Sequence, residues 1–243
     1  MRGLKMAGAY SYPPCRLGFC GQKIKESGRV LGSFLKGEKI SLVKIRKVLK
    51  SFEATYPYYE MIAKANGIKD ALDERVIESY WLGNELLKKV NISDIKKLIL
   101  REFTRKGLLS KEEAERRVSL IPQGATPHHS FHVLVLGSIT GRVKLAGKLL
   151  DHCLPQWGKV LEINKKGIKV LYKPLKVKGK KLFFSEPIKK SVSCDEENLR
   201  SENVKKGDVI SFHWNHFCQV ISKEQQKNLS KYTLQNITAL NKN

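Results

Sequence analysis

Gly158-Lys-Val-Leu-Glu-Ile163, Asn164-Lys-Lys-Gly167 and Ile168-Lys-Val-Leu-Tyr172 decide the fold class. Two runs rich in valine, isoleucine and leucine flank a short turn that ends in glycine, which is the pattern of a β-hairpin. Working outward, Val177 to Phe184, with Lys178-Gly179-Lys180 inside it, reads as a second hairpin. Val209 to Trp214, entered through Lys206-Gly207-Asp208, reads as a further strand. Several short strands at close spacing with glycine turns predict a small β-barrel. Ser222-Lys-Glu-Gln225 has the spacing of a capping box and opens a final helix to about Leu240.

Upstream of Cys153 the period changes to that of helices. Ile40 to Ala54 sets Ile40, Val43, Ile45, Val48, Leu49 and Phe52 near helical spacing, and Asp73 to Val90 does the same with Val76, Ile77, Tyr80, Trp81 and Leu87. Further helices are expected over Ile92 to Lys106, over Ser110 to Leu120, and over Gly141 to His152. Ser110-Lys-Glu-Glu113 has capping-box spacing, and Pro122 stops that helix. The chain is therefore expected to be α+β. A mainly helical domain over residues 1–150 precedes an OB-like β-barrel with a C-terminal helix over residues 151–243.

Composition removes several classes. The 243 residues are 41% hydrophobic, enough for a core. No run of apolar residues is long enough for a membrane span, and the N-terminus does not read as a secretory signal. Five cysteines without such a signal point to a reducing, cytoplasmic setting. Neither a P-loop nor a dinucleotide fingerprint occurs. The formal net charge of +23 suggests an anionic partner, yet 35 of the 46 basic residues are lysines. Arginine is the residue favoured for bidentate phosphate contacts, so nucleic-acid binding ranks third among the functional readings.

Three clusters carry possible chemistry. Tyr12-Pro-Pro-Cys-Arg-Leu-Gly-Phe-Cys-Gly21 reads as a Pro/Gly-rich arm whose cysteines, Cys15 and Cys20, lack the spacing of a zinc or thioredoxin site. Pro127-His-His-Ser-Phe-His132 places three histidines in five residues, in a polar loop leading to a Val133 to Leu136 strand. Cys20 with His128, His129 or His132 would make a Cys–His nucleophile pair or a metal site, with Cys20, His129 and His132 as the catalytic candidates. The third cluster joins His152-Cys153-Leu-Pro-Gln-Trp-Gly-Lys-Val160 to Gly207-Asp-Val-Ile-Ser-Phe-His213. A thiolate and an imidazole suit a transition metal, and His152 and His216 are secondary candidates beside them. All six histidines lie between 128 and 216, on both sides of residue 150. The two halves are thus candidates to share one metal-binding cleft.

The third cluster resembles the HypC/HupF family of hydrogenase maturation chaperones over about residues 150–240. Cys153-Leu-x-x-x-Gly158-Lys159-Val160 resembles that family's opening motif, and Val204-Lys-Lys-Gly-Asp-Val-Ile-Ser-Phe-His213 resembles its second segment. Phe217 and the Ser222 helix follow in family order. The resemblance implies a small β-barrel and a metallocentre assembly chaperone rather than an enzyme. It implies iron, carried as an iron-dicyano-carbonyl unit towards [NiFe]-hydrogenase, with Cys153 and His213 as the iron-handling residues. The implied partners are a HypD-like maturation protein and the hydrogenase large-subunit precursor. The N-terminal half, with its YPP, Tyr80-Trp-Leu-Gly-Asn84 and PHHSFHV motifs, resembles a prokaryotic family of unknown function that joins such a half to a HypC-like tail.

Overall fold

The computed structural model describes residues 1–19, 25–164, 167–194 and 203–242. It is α+β: a helical N-terminal region, a five-stranded antiparallel sheet and a C-terminal helix. The helices are α1 (Arg2–Arg16), α2 (Lys25–Leu35), α3 (Leu42–Lys50), α4 (Tyr56–Ala65), α5 (Glu74–Trp81), α6 (Ile92–Lys97), α7 (Lys111–Ser119), α8 (Lys148–Cys153) and α9 (Lys223–Asn241). The strands are β1 (Gln156–Asn164), β2 (Gly167–Tyr172), β3 (Leu175–Lys178), β4 (Lys181–Phe184), β5 (Ile188–Val192), β6 (Val209–His213) and β7 (His216–Val220).

Both expected hairpins form. β1 pairs with β2 antiparallel, with Val160 opposite Val170 and Ile163 opposite Ile168. β3 pairs with β4 in a separate two-stranded sheet. The expected closed barrel does not. The main sheet runs β5-β2-β1-β6-β7, and its edges meet at a single isolated bridge, Ser193 to His216, rather than along a ladder. β3 and β4 stay outside the sheet as their own hairpin. β2 therefore pairs directly with β5, Ile168 opposite Val192.

The helical expectations hold in outline and fail at particular residues. The Asp73–Val90 helix ends at Trp81, because Gly83 takes φ +83°, and a 3-10 turn over Glu85–Lys89 follows. Ile92–Lys106 becomes α6 followed by a π-helical turn over Leu98–Phe103. Gly141–His152 shrinks to α8, since Gly141 and Gly147 both have positive φ. Ser110 caps α7 by accepting from the Glu113 N–H, but the Glu113 carboxylate turns to Arg116 and Arg117 and leaves the box half made. The Ser222 box is complete.

Two segments differ in kind. The N-terminal arm is not a loop: α1 runs through Pro13 and Pro14 and is buried along most of its length. The Val133–Leu136 segment is not a strand but lies in a π-helical turn over Phe131–Leu136. The main core gathers α1 through the π turn and takes in Cys218, Ile221, Leu229 and Tyr232 from beyond residue 150. A smaller core lies within the sheet, around Val160, Val170, Ile210 and Phe217. Among the described residues no helix is long and apolar enough to cross a membrane.

Candidate metal centre

Three residues distant in sequence converge where α1, α8, β6 and the start of the 131–136 turn meet. His129, Cys153 and His213 bring an imidazole nitrogen, a thiol sulfur and a second imidazole nitrogen within 4.8 Å of one another, all buried. This group could hold a metal ion. Tetrahedral bonds of 2.0–2.3 Å separate N and S donors by about 3.3–3.6 Å, so donors at the outer limit would have to close by about 1 Å around an ion.

Each donor is held by local structure. Cys153 ends α8, and the neighbouring Asp151 anchors that helix. The Asp151 carboxylate accepts from the Leu175 amide at 2.7 Å, from Gln156 Nε2 at 2.7 Å and from the Tyr172 hydroxyl at 3.2 Å. α8 is thereby tied to β1, β2 and β3. His213 is the last residue of β6, before the tight turn Trp214-Asn215 into β7. Both turn residues have positive φ, +50° and +61°. Such a pair matches the twist of a hairpin but is rare for tryptophan. Trp214 accepts this conformation while its ring packs on Phe19, centroids 4.7 Å apart. His129 is fixed from the far end of the chain. Asn236 on α9 accepts from the Thr126 N–H at 2.9 Å and donates to the Thr126 carbonyl at 3.0 Å and to Ser130 Oγ at 2.8 Å.

The proline pair in α1 prepares the site. Pro14 has no N–H, so the Tyr10 carbonyl four residues earlier loses its helical donor. His213 Nδ1 lies 2.7 Å from that oxygen and supplies the missing N–H. The tautomer follows: Nδ1 carries the proton, and Nε2 keeps its lone pair. Yet Nε2 lies 2.9 Å from the Cys153 carbonyl oxygen, which also has only lone pairs to offer. An imidazolium would satisfy both contacts, but burial pushes the His213 pKa down to about 4. Neutral His213 therefore holds a lone pair against an oxygen, and a metal ion on Nε2 would relieve this contact only by displacing the carbonyl.

His129 is compatible with the same ion. Its Nδ1 lies 2.9 Å from the Tyr80 hydroxyl and its Nε2 3.0 Å from the Cys153 carbonyl. As placed, Nε2–H donates to that carbonyl and the Tyr80 hydroxyl donates to Nδ1; the other tautomer, with Nδ1–H donating to Tyr80, would free Nε2 as a ligand. Both imidazoles then have the outer-shell partner that metal-bound histidines usually carry. Burial, reinforced by the neighbouring His213 and His132 rings, pushes the His129 pKa well below its ordinary value and favours the neutral ring.

Beside the donors lies a cavity with about 20 Å³ of water-accessible space, about enough for one water-sized ligand. Phe52, Ile139, Val143 and Leu145 make much of it apolar. Ser138 lines it as well, and its buried Oγ has no hydrogen-bond partner among the described residues.

The other candidates are placed elsewhere. His128 is a structural residue, Nδ1 2.9 Å from Ser130 Oγ and Nε2 3.2 Å from the Trp81 carbonyl. His132 is buried, lines the cavity and faces the Tyr58 hydroxyl at 3.5 Å, outside the three-donor group. His152 is half-buried with its ring 6.3 Å from that of Trp214, and His216 meets Tyr12 edge-on at 5.7 Å. Cys15 is half-buried near the end of α1. Cys20 lies outside the described residues. Sequence reading did not identify Tyr10, Tyr80 or Asp151 as supports of the site. Pro13-Pro14 inside a helix was the available signal, because each proline frees a carbonyl.

The family model for DUF6390 matches residues 1–243. The chain belongs to this family of unknown function. No curated protein and no solved structure matches it. The centre described above is thus carried by a DUF6390 chain matched over its whole length, with donors from both sides of residue 150.

Proposed function

We propose that this DUF6390 protein binds one transition-metal ion through His129 Nε2, His213 Nε2 and the Cys153 thiolate, with a fourth position open to a small ligand. The observation that carries the reading is His213, a buried ring whose two nitrogens both face carbonyl oxygens. Two imidazoles and a soft thiolate suit iron, cobalt, nickel, copper or zinc, and disfavour magnesium and calcium. Exposures of 4% for His129, 5% for Cys153 and 1% for His213 favour a resident centre over one that passes its ion to a partner at the surface.

Anaerobic purification followed by elemental analysis tests this. Wild type is expected to retain close to one ion per chain, and cobalt added to the metal-free protein should give a thiolate-to-cobalt charge-transfer band. Cys153→Ser, His129→Ala and His213→Ala should each lose the ion, and Cys153→Ser the band. Equal metal content in wild type and all three variants would overturn the proposal.

A narrower reading makes the ion iron and the role accessory to [NiFe]-hydrogenase maturation in the cytoplasm. Its support is that Cys153 and His213, the two residues singled out by the HypC/HupF resemblance, are two of the three donors. This reading expects co-purification with a HypD-like protein or a hydrogenase large-subunit precursor, and infrared bands of cyanide and carbon monoxide on the bound iron. Stoichiometric zinc with no such bands would reject this reading and leave the metal centre standing.

A further inference from the structure

The β3–β4 hairpin has two unlike faces. Leu175, Leu182 and Phe184 turn inward and join the cluster around Cys153, Trp214 and Ile237. Paired residues share a face in an antiparallel ladder, so the opposite face carries Lys176 opposite Phe183 and Lys178 opposite Lys181. All four are exposed, Phe183 by 41%. Lys180 lies in the connecting turn, and Lys173 and Lys189 flank the hairpin. Across residues 173–189 six lysines accompany one carboxylate, Glu186. Among the described residues the nearby ion pairs belong to Lys169 and Lys190, and none of these six forms one.

This arrangement is not explained by stability. Like charges directly opposite on a ladder repel, as at Lys178 and Lys181, and an exposed phenylalanine gains nothing from water. Both features become favourable against one class of ligand, a flexible polyanion that also presents flat rings. Phosphates would neutralise the lysines while a base stacks on Phe183. An acidic peptide would use the lysines but not the ring. We infer that the outer face of the β3–β4 hairpin is a binding ledge for single-stranded nucleic acid, with Lys176, Lys178, Lys180 and Lys181 on the phosphates and Phe183 as the stacking platform. The inference does not depend on the metal centre.

Fluorescence anisotropy with short single-stranded DNA and RNA oligonucleotides tests it on the full chain, and the ratio of the two affinities identifies the preferred sugar. Four neutralised phosphates predict an affinity loss of about 50-fold between about 50 and about 200 mM salt. The triple variant Lys176→Glu, Lys178→Glu, Lys181→Glu should bind at least about tenfold more weakly, with a flatter salt dependence. Phe183→Ala should lose about tenfold in affinity with the salt slope unchanged, because stacking is not ionic. The control Lys36→Glu, Lys39→Glu, Lys47→Glu reverses as many exposed lysines elsewhere and should bind like wild type. Circular dichroism establishes that each variant is folded. No binding by wild type at low salt, an equal loss in the control, or a Phe183→Ala variant that binds like wild type would overturn the ledge. So would tighter binding to phosphatidylserine vesicles than to either oligonucleotide.

Discussion

At the scale of single residues, Pro14 is the most consequential for the site while taking no direct part in it. Its missing N–H leaves the Tyr10 carbonyl to His213, and that contact sets which ring nitrogen keeps its lone pair. Pro14→Ala would return a helical donor to Tyr10 and release the constraint on the imidazole. The variant is expected to fold with unchanged or slightly raised stability, since alanine suits a helix interior. Its metal affinity should fall by about tenfold or more, the usual effect of losing an outer-shell partner. Cobalt titration of the variant measures this, and an unchanged dissociation constant would remove Tyr10 from the account. Such a residue is legible in sequence only as an oddity, a proline pair where a helix would have to be broken or re-satisfied. What re-satisfies it comes from 200 residues away.

At the scale of elements, the decisive features are the places where a periodic pattern stops. Hydrophobic spacing continues from Val76 to Leu87, but the helix does not, because Gly83 takes a left-handed conformation directly under Tyr232 of α9. A Cβ on Gly83 would lie 2.2 Å from Tyr232 Cδ2. Gly83→Ala therefore combines an unfavourable φ with a clash against the helix that places Asn236. A loss of about 2 kcal/mol or more is expected in urea unfolding, read as a lower midpoint. A midpoint within error of wild type would show that α9 shifts freely. The hairpins were the best-read elements, since their turns and alternation are local. The two strands missed in sequence, β5 and β7, are short and carry a weak alternation. β5 is a lysine-rich edge strand whose place is set by pairing with β2.

At the scale of the whole molecule, the cavity wall is braced from the surface. Arg117 Nη1 donates to the Leu136 and Ser138 carbonyls at 2.8 and 3.1 Å, and Glu113 holds that guanidinium at 2.7 Å. Hydrogen bonds from Arg116 and Arg117 lower the Glu113 pKa to about 2. A carboxylate lowered in the folded state contributes stability above its unfolded value, near 4.5, and loses it as the pH falls through about 2. Wild type should accordingly be more stable than Glu113→Gln at neutral pH, and the difference should vanish across that acid range. Thermal unfolding of both proteins at several pH values tests this. A difference that persists undiminished at pH 2 would assign it to packing instead.

The amino-acid sequence by itself determined the α+β class, the hairpins at 158–172 and 177–184, the Ser222 cap with the helix behind it, and the candidacy of His129, Cys153 and His213. These rest on local periods, turn residues and donor chemistry, which act over a few residues. Only the tertiary structure decided that the sheet stays open, that the N-terminal arm is a buried helix, and which histidines face the same thiol. His128, His129 and His132 carry the same ring within five residues, and no local rule separates them. Their roles diverge because Asn236, Tyr80 and α8 reach the loop from distant parts of the chain. Burial then makes each ring's two hydrogen-bond partners, rather than its sequence neighbours, decide what it can bind.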